Sequence, residues 1–346
     1  MKATRKEHDF LGELEIPNEV YYGIQTFRAI ENFNITGIPI SKEPLFIKAL
    51  GYVKKAAAMA NKDCGVLDAK IAEAICYGSD QLIAGKFDQE FVSDLIQGGA
   101  GTSTNMNANE VIANRALEIL GHPKSSYDII HPNNHINMSQ STNDVYPTAI
   151  KVTLHELIYK LKDSLRFLRD CFEEKSIEFK DVLKMGRTQL QDAVPMTLGQ
   201  EFKTFAVMID HDIFKLREAQ AILKEVNLGA TAIGTGINSK MEYRGKVISN
   251  LREVTGVDYE SAGDLIEATQ DTGSFVHISG MLKSIAIKIS KICNDLRLLS
   301  SGPRAGFNEI NLPALQPGSS IMPGKVNPVI PEVVNQVAFE VIGSDM

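Results

Sequence analysis

The sequence predicts a mainly all-α protein, with an N-terminal mixed or helical domain over residues 1–140 and a long-helix bundle domain over 141–346. Three observations lead there. Three long segments step their apolar residues by threes and fours, no stretch repeats the alternation of a strand, and helix start and stop residues bound the segments. With 346 residues, 44% of them hydrophobic, the chain can bury a large core and exceeds one compact unit, so two or three folding units are expected.

The chain opens on a polar stretch, Met1 to Asp9, with no apolar centre for a signal peptide. No later run of about 18 uncharged apolar residues offers a membrane span. Short helices are expected over Phe46 to Lys62 and Asp68 to Ile83, between turn-rich loops. A glycine-rich loop, Gly98 to Asn107, leads into a helix through about Leu120.

The first rod follows residues Ser139 to Asp144, which are rich in helix-capping types, and runs Ile150, Leu154, Leu157, Ile158, Leu161, Leu165, Leu168, Phe172. The second runs from Leu198 through Phe202, Phe205, Ile209, Ile213, Leu216 and Leu223 to Val226, between Pro195 and Gly229. The third, from Phe275 through Ile278, Leu282, Ile285, Ile289, Ile292 and Leu296 to Leu299, is closed by Gly302-Pro303. Rods of about thirty residues reach roughly 45 Å, and such rods bury their apolar stripes on one another. A last helix is expected beyond Pro328, through Val333, Val334, Val337 and Val341. It is still apolar where the sequence stops, so the chain is expected to be part of a longer one.

Charge narrows the function classes. Lys and Arg total 36 against 43 Asp and Glu, a formal net charge of -7 without a basic cluster, which argues against a nucleic-acid binder held by phosphate charge. The 4 cysteines are scattered and form no CxxC pair, which argues against a disulfide scaffold and for a reducing, cytoplasmic location. The histidines form no metal-spaced helical cluster; His131 and His135 are four apart with Pro132 between them, which reads as a loop or secondary anion site.

Chemistry concentrates in three polar constellations, the second made of two segments, each where a helix starts or stops. Gly98 to Asn107 lets backbone N–H groups approach a ligand at a helix N-terminus, although a simple helix cap explains it as well. Gln140-Ser141-Thr142-Asn143-Asp144 heads the first rod, and Gly186-Arg187-Thr188-Gln189 precedes the second. Gly318-Ser319-Ser320-Ile321-Met322-Pro323-Gly324-Lys325-Val326-Asn327-Pro328 combines two hydroxyls, an ammonium and an amide between glycines and prolines, which suits a flap closing over an anion.

That third loop resembles the signature of the fumarase/aspartase superfamily, and the likeness extends from Tyr21-Tyr22-Gly23 through Gly101-Thr102-Ser103 and 186–195 to Asn327-Pro328. Within it, Glu31-Asn32-Phe33, residues 140–148 and residues 328–337 resemble the aspartate ammonia-lyase family rather than fumarases, which carry His where this chain has Gln189. The resemblance implies elimination of ammonia from L-aspartate to give fumarate. It assigns the general base to Ser319, the β-carboxylate to Thr102, Ser141, Thr142 and Ser320, the α-carboxylate to Lys325 and Asn327, and the amino group to Asn143, Thr188 and Gln189. No residue pattern suggests a metal, PLP or nucleotide cofactor, and the resemblance implies a homotetramer whose helical core lets each active site draw loops from three chains. It also implies a C-terminal domain that this sequence does not contain. The rival readings are a fumarase-type hydratase and a non-catalytic helical scaffold of the same superfamily; the joint retention of Thr102, Ser141, Ser319, Lys325 and Asn327 argues against the scaffold.

Overall fold

A computed structural model describes residues 3–346; Met1 and Lys2, the first residues of the polar N-terminal stretch, lie outside the described residues. The expected helices are present, joined by three small two-stranded sheets. In chain order the elements are β1 (Thr4–Asp9), β2 (Gly12–Pro17), α1 (Ile24–Asn32), α2 (Pro44–Asp63), α3 (Ala69–Ile83), α4 (Thr102–Ile119) and α5 (Thr142–Glu178). Then follow β3 (Leu183–Thr188), β4 (Gln191–Thr197), α6 (Leu198–Ile222), β5 (Glu225–Val226), α7 (Tyr243–Thr255), β6 (Glu260–Ser261), α8 (Leu265–Gln270), α9 (Gly273–Leu299) and α10 (Val329–Gly343). No helix among the described residues is long and apolar enough to cross a membrane.

The chain forms two compact units that interleave along the sequence. One comprises the chain up to Leu157 together with Leu223–Asp271; the other comprises Ile158–Ile222 and Thr272–Met346. This partition differs from a division at residue 140, because α5 contributes its first turns to one unit and the remainder to the other.

In the first unit α2, α3, α4 and α7 bury Leu50, Val53, Ile75, Ile112 and Leu251 in one core. Local chemistry sets the helix ends. The Asp68 side chain accepts from the amides of Lys70 and Ile71 and starts α3, while Gly256, in the left-handed conformation, ends α7. α1 has no cap of its own. Its orphan amides are served from a distance: the buried Glu110 carboxylate accepts from the N–H groups of Gly23, Gln25 and Thr26, and Glu7 accepts from Ile24. Burial pushes Glu110 up to about 7, against donors that favour its anion.

In the second unit the later turns of α5 together with α6 and α9 carry the rods, and α10 packs on α9. Phe172 of α5 meets Phe202 and Phe205 of α6 at ring distances of 6.1 and 5.5 Å. Asn335 of α10 is buried and donates to Ser290 Oγ (2.7 Å) and Asn294 Oδ1 (3.1 Å) of α9.

The second rod ends earlier than its apolar spacing suggests. α6 stops at Ile222, and Val226 lies in β5, paired in parallel with Ser261 of β6. The 186–195 stretch is likewise a hairpin rather than a loop. β3 and β4 pair antiparallel, and Gln189 and Leu190, both with positive φ (53° and 61°), form the two-residue turn.

Candidate functional site

A cavity of about 540 Å³ opens in the first unit, where the start of α4, the start of α5 and the loop after β5 converge. Thr102, Ser141 and Thr142 line it, together with Gln25, Asn105, Asn137 and Thr231. The glycines of the first loop are required by geometry. Gly99 and Gly101 both take φ of 89°, and a Cβ on Gly101 would enter the Tyr146 ring. Their turn brings Thr102 to the cavity rim, where its Oγ1 donates to the Gly99 carbonyl at 2.7 Å.

The hydroxyls at the head of α5 are held as acceptors on the protein side. Ser141 Oγ accepts from the Asn143 amide at 3.2 Å, and Thr142 Oγ1 accepts from Asn105 Nδ2 at 3.0 Å. Among the described residues no group accepts the O–H of either, so both protons are available to a ligand in the cavity. Beneath them lies buried Asp144. Its carboxylate accepts from the Ser141 amide (2.8 Å) and from the amides of Gly229 and Thr231 (both 3.1 Å), tying the later loop to the helix start. Burial pushes Asp144 up to about 6 and Lys54, fully buried on α2, down to about 7.

Asn143 does not line this cavity. Its Nδ2 donates to the Ala232 carbonyl at 2.7 Å, which leaves Oδ1 and the second Nδ2 hydrogen without a partner among the described residues. Its backbone carbonyl, deprived of a helical partner by Pro147 within α5, accepts from Asn227 Nδ2 at 3.0 Å.

The remaining expected site residues belong to the second unit. Thr188 and Gln189 are exposed at the tip of the β3–β4 hairpin. Arg187 Nη2 meets Glu309 at 2.6 Å and the guanidinium stacks on Phe307 at 4.2 Å; Glu309 also pairs with Lys184 at 3.0 Å. In the flap, the Gly318 amide donates to the Lys325 carbonyl (2.7 Å) and Asn327 Nδ2 donates to the Gly318 carbonyl (3.2 Å), closing its base. Ser320 and Lys325 are exposed, and Ser319, half-buried, accepts the Ile321 amide on its Oγ at 3.3 Å.

The sequence pattern of the lyase family matches residues 12–343, and this decides the assignment. The chain belongs to the fumarase/aspartase superfamily. It is 61% identical over 342 residues to aspartate ammonia-lyase from Helicobacter pylori, covering 99% of this chain and 73% of that protein. Among solved structures of the superfamily, fumarate lyase:delta crystallin from Brucella melitensis bound to cobalt superposes with a TM-score of 0.97 at 55% identity, covering 99% of this chain and 75% of that one. Class II fumarase from Schistosoma mansoni follows at 34% identity and a TM-score of 0.95, covering 99% of this chain and 75% of that one.

Several residues lining the cavity escaped the sequence reading. Asn105 and Asn137 are side chains of buried or half-buried segments, and Thr231 comes from a stretch with no rod-like spacing. The signal for Asn105 was present: Asn105, Asn107, Asn109 and Asn114 recur along one helix among Ala108, Val111, Ile112 and Ala113, and all four are buried. His131 and His135 are engaged locally. His131 Nδ1 accepts the Asn133 amide (3.0 Å), and His135 Nδ1 accepts the His131 amide (2.9 Å). Burial lowers the pKa of both rings. Among the described residues, no three His, Cys, Asp or Glu side chains are placed to hold a metal ion.

Proposed function

We propose that this lyase eliminates ammonia from L-aspartate to give fumarate, through abstraction of the β-proton by Ser319 and an enediolate-like intermediate. The observation that carries the reading is agreement along 99% of the chain with relatives named aspartate ammonia-lyase. Gln189, where fumarases carry His, favours amine chemistry over hydration.

The β-proton is weakly acidic because it adjoins a carboxylate, so its removal requires donors placed where charge grows. Ser141 and Thr142, whose O–H protons meet no acceptor among the described residues, supply such donors to the β-carboxylate. Thr102 and Ser320 join them. The Ile321 amide on Ser319 Oγ favours its alkoxide, and Lys325 adds positive charge on the same flap. Lys325 and Asn327 hold the α-carboxylate. Asn143, with Nδ2 engaged by Ala232, presents the acceptor that an ammonium needs, beside Thr188 and Gln189. As the β C–H bond breaks the proton passes to Ser319; the electron pair then forms the double bond as C–N breaks and ammonia leaves.

The complete site is assembled in a homotetramer, with loops from three chains. Support comes from apolar side chains left exposed on the rods, including Phe167, Phe214, Val276 and Phe339, a surface that suits packing between copies. The four unpaired thiols suit a reducing, cytoplasmic compartment.

The test is an ultraviolet assay for fumarate with L-aspartate, against L-malate, argininosuccinate and adenylosuccinate. Aspartate should yield fumarate and ammonia, with D-aspartate inert because amine and β-proton must sit at fixed positions relative to the base. Faster turnover of malate would replace this reading with a hydratase, and no turnover of any substrate would favour the scaffold.

A further inference from the structure

Thr142 can serve a carboxylate only if its O–H points into the cavity, and a chain of buried and half-buried groups decides that. The chain starts at Lys54, whose Nζ donates to Asn137 Oδ1 and to Gln140 Oε1, each at 3.0 Å. Whether ammonium or amine, Nζ has enough N–H bonds to serve both. The orientation of the Asn137 amide is fixed a second time, because its Nδ2 donates to the Gln140 carbonyl (3.2 Å), a group that can only accept. Asn137 therefore presents oxygen to Asn105, and Asn105 must answer with its NH₂ (3.1 Å). The second hydrogen of that NH₂ falls on Thr142 Oγ1 at 3.0 Å. Thr142 thus accepts on the protein side, and its own proton is left for the cavity.

The other end of the amide is unserved. Asn105 Oδ1 is buried with no hydrogen-bond partner among the described residues, as are Asn107 Oδ1 and Asn109 Oδ1 on the same helix. Leaving a buried acceptor unsatisfied is unfavourable, so the orientation is held by its neighbours against that cost.

We propose that Asn105 is a positioning residue, oriented by Lys54 through Asn137, that fixes the Thr142 hydroxyl as a hydrogen-bond donor to a substrate carboxylate. The inference rests on the aspartate lyase reading for the identity of that carboxylate. Asn105 lines the same cavity, but both hydrogens of its Nδ2 are taken by Asn137 and Thr142, so it acts on the substrate through Thr142.

The experiment is a double-mutant cycle on the full chain, after aspartate turnover by the wild type has tested the lyase reading by itself. In the wild-type background Thr142→Val removes one donor to a charged group and should lower kcat/KM by about 10- to 100-fold. Asn105→Asp places an acceptor beside Thr142, so the hydroxyl turns inward and is already lost to the ligand. Thr142→Val should then cost no more than about 2-fold, a strong coupling for residues in one network. Asn105→Leu, which carries no charge, is the second background if the aspartate disrupts folding; there the cost should fall at least about 5-fold below its wild-type value. A Thr142→Val cost that is the same factor in all backgrounds would overturn the relay while leaving the lyase reading intact. Absence of aspartate turnover in the wild type would overturn the reading and the relay's role with it.

Discussion

Ser319 carries the chemistry of the proposed reaction and depends on its immediate neighbours. Its Oγ already accepts one amide, from Ile321, within a flap whose base is closed by Gly318, Lys325 and Asn327. Ser319→Ala removes the proton acceptor and leaves those closing bonds in place. We expect kcat for aspartate to fall at least about 10²-fold with KM changed little, because the base acts in the transition state. Near-normal turnover in steady-state assays would remove Ser319 from the mechanism. Lys54 offers a test by pH. Burial holds it near 7, below its unfolded value of 10.5, so between these values the unfolded chain binds more protons and stability rises with pH. The stabilising contribution of the neutral amine is present above 10.5 and lost as pH falls through about 7. Thermal melts should show the wild type gaining on Lys54→Met as pH rises from about 7 to about 10; a constant difference would place Lys54 at an ordinary pKa.

The head of α5 shows how an element can be legible in sequence while its support is not. Capping residues from Ser139 to Asp144 announce the helix, but Pro147 denies the Asn143 carbonyl its usual donor. Asn227, a residue with no rod-like role in the sequence, fills the gap at 3.0 Å and also donates to Thr269 Oγ1 at 3.2 Å. Asn227→Leu should lower stability by about 1–3 kcal/mol, the usual cost of orphaning such groups. A prior Pro147→Ala should recover part of the loss, since the amide it restores can serve the same carbonyl. Denaturant unfolding of the four proteins measures this, and equal losses with and without Pro147 would place the damage elsewhere. The β3–β4 hairpin is the opposite case. Its turn residues, Gln189 and Leu190, are not the glycine or asparagine that positive φ favours, so the local signal for a hairpin was weak.

At the scale of the whole molecule, the first two site loops belong to one compact unit, whereas the hairpin and the flap belong to the other. The proposed sharing of sites between chains predicts complementation. A Thr102 variant and a Ser319 variant, each nearly inactive, are co-refolded in equal amounts. If the two loops of a site come from different chains, about one quarter of the sites receive both intact and about one quarter of wild-type activity returns. Mixed oligomers confirmed by mass but without activity would rule the arrangement out. Sequence alone determined the rods, their approximate limits and the superfamily, because apolar spacing and the flap signature are local patterns that survive without knowledge of what packs where. Tertiary structure decided which amide serves which carbonyl: Glu110 capping α1 from 84 or more residues away, Asn227 reaching Asn143, and Lys54 setting the orientation of Asn137 and Asn105. Those pairings join residues far apart in the chain, and a buried polar group takes its partner from whatever the fold brings within hydrogen-bonding distance.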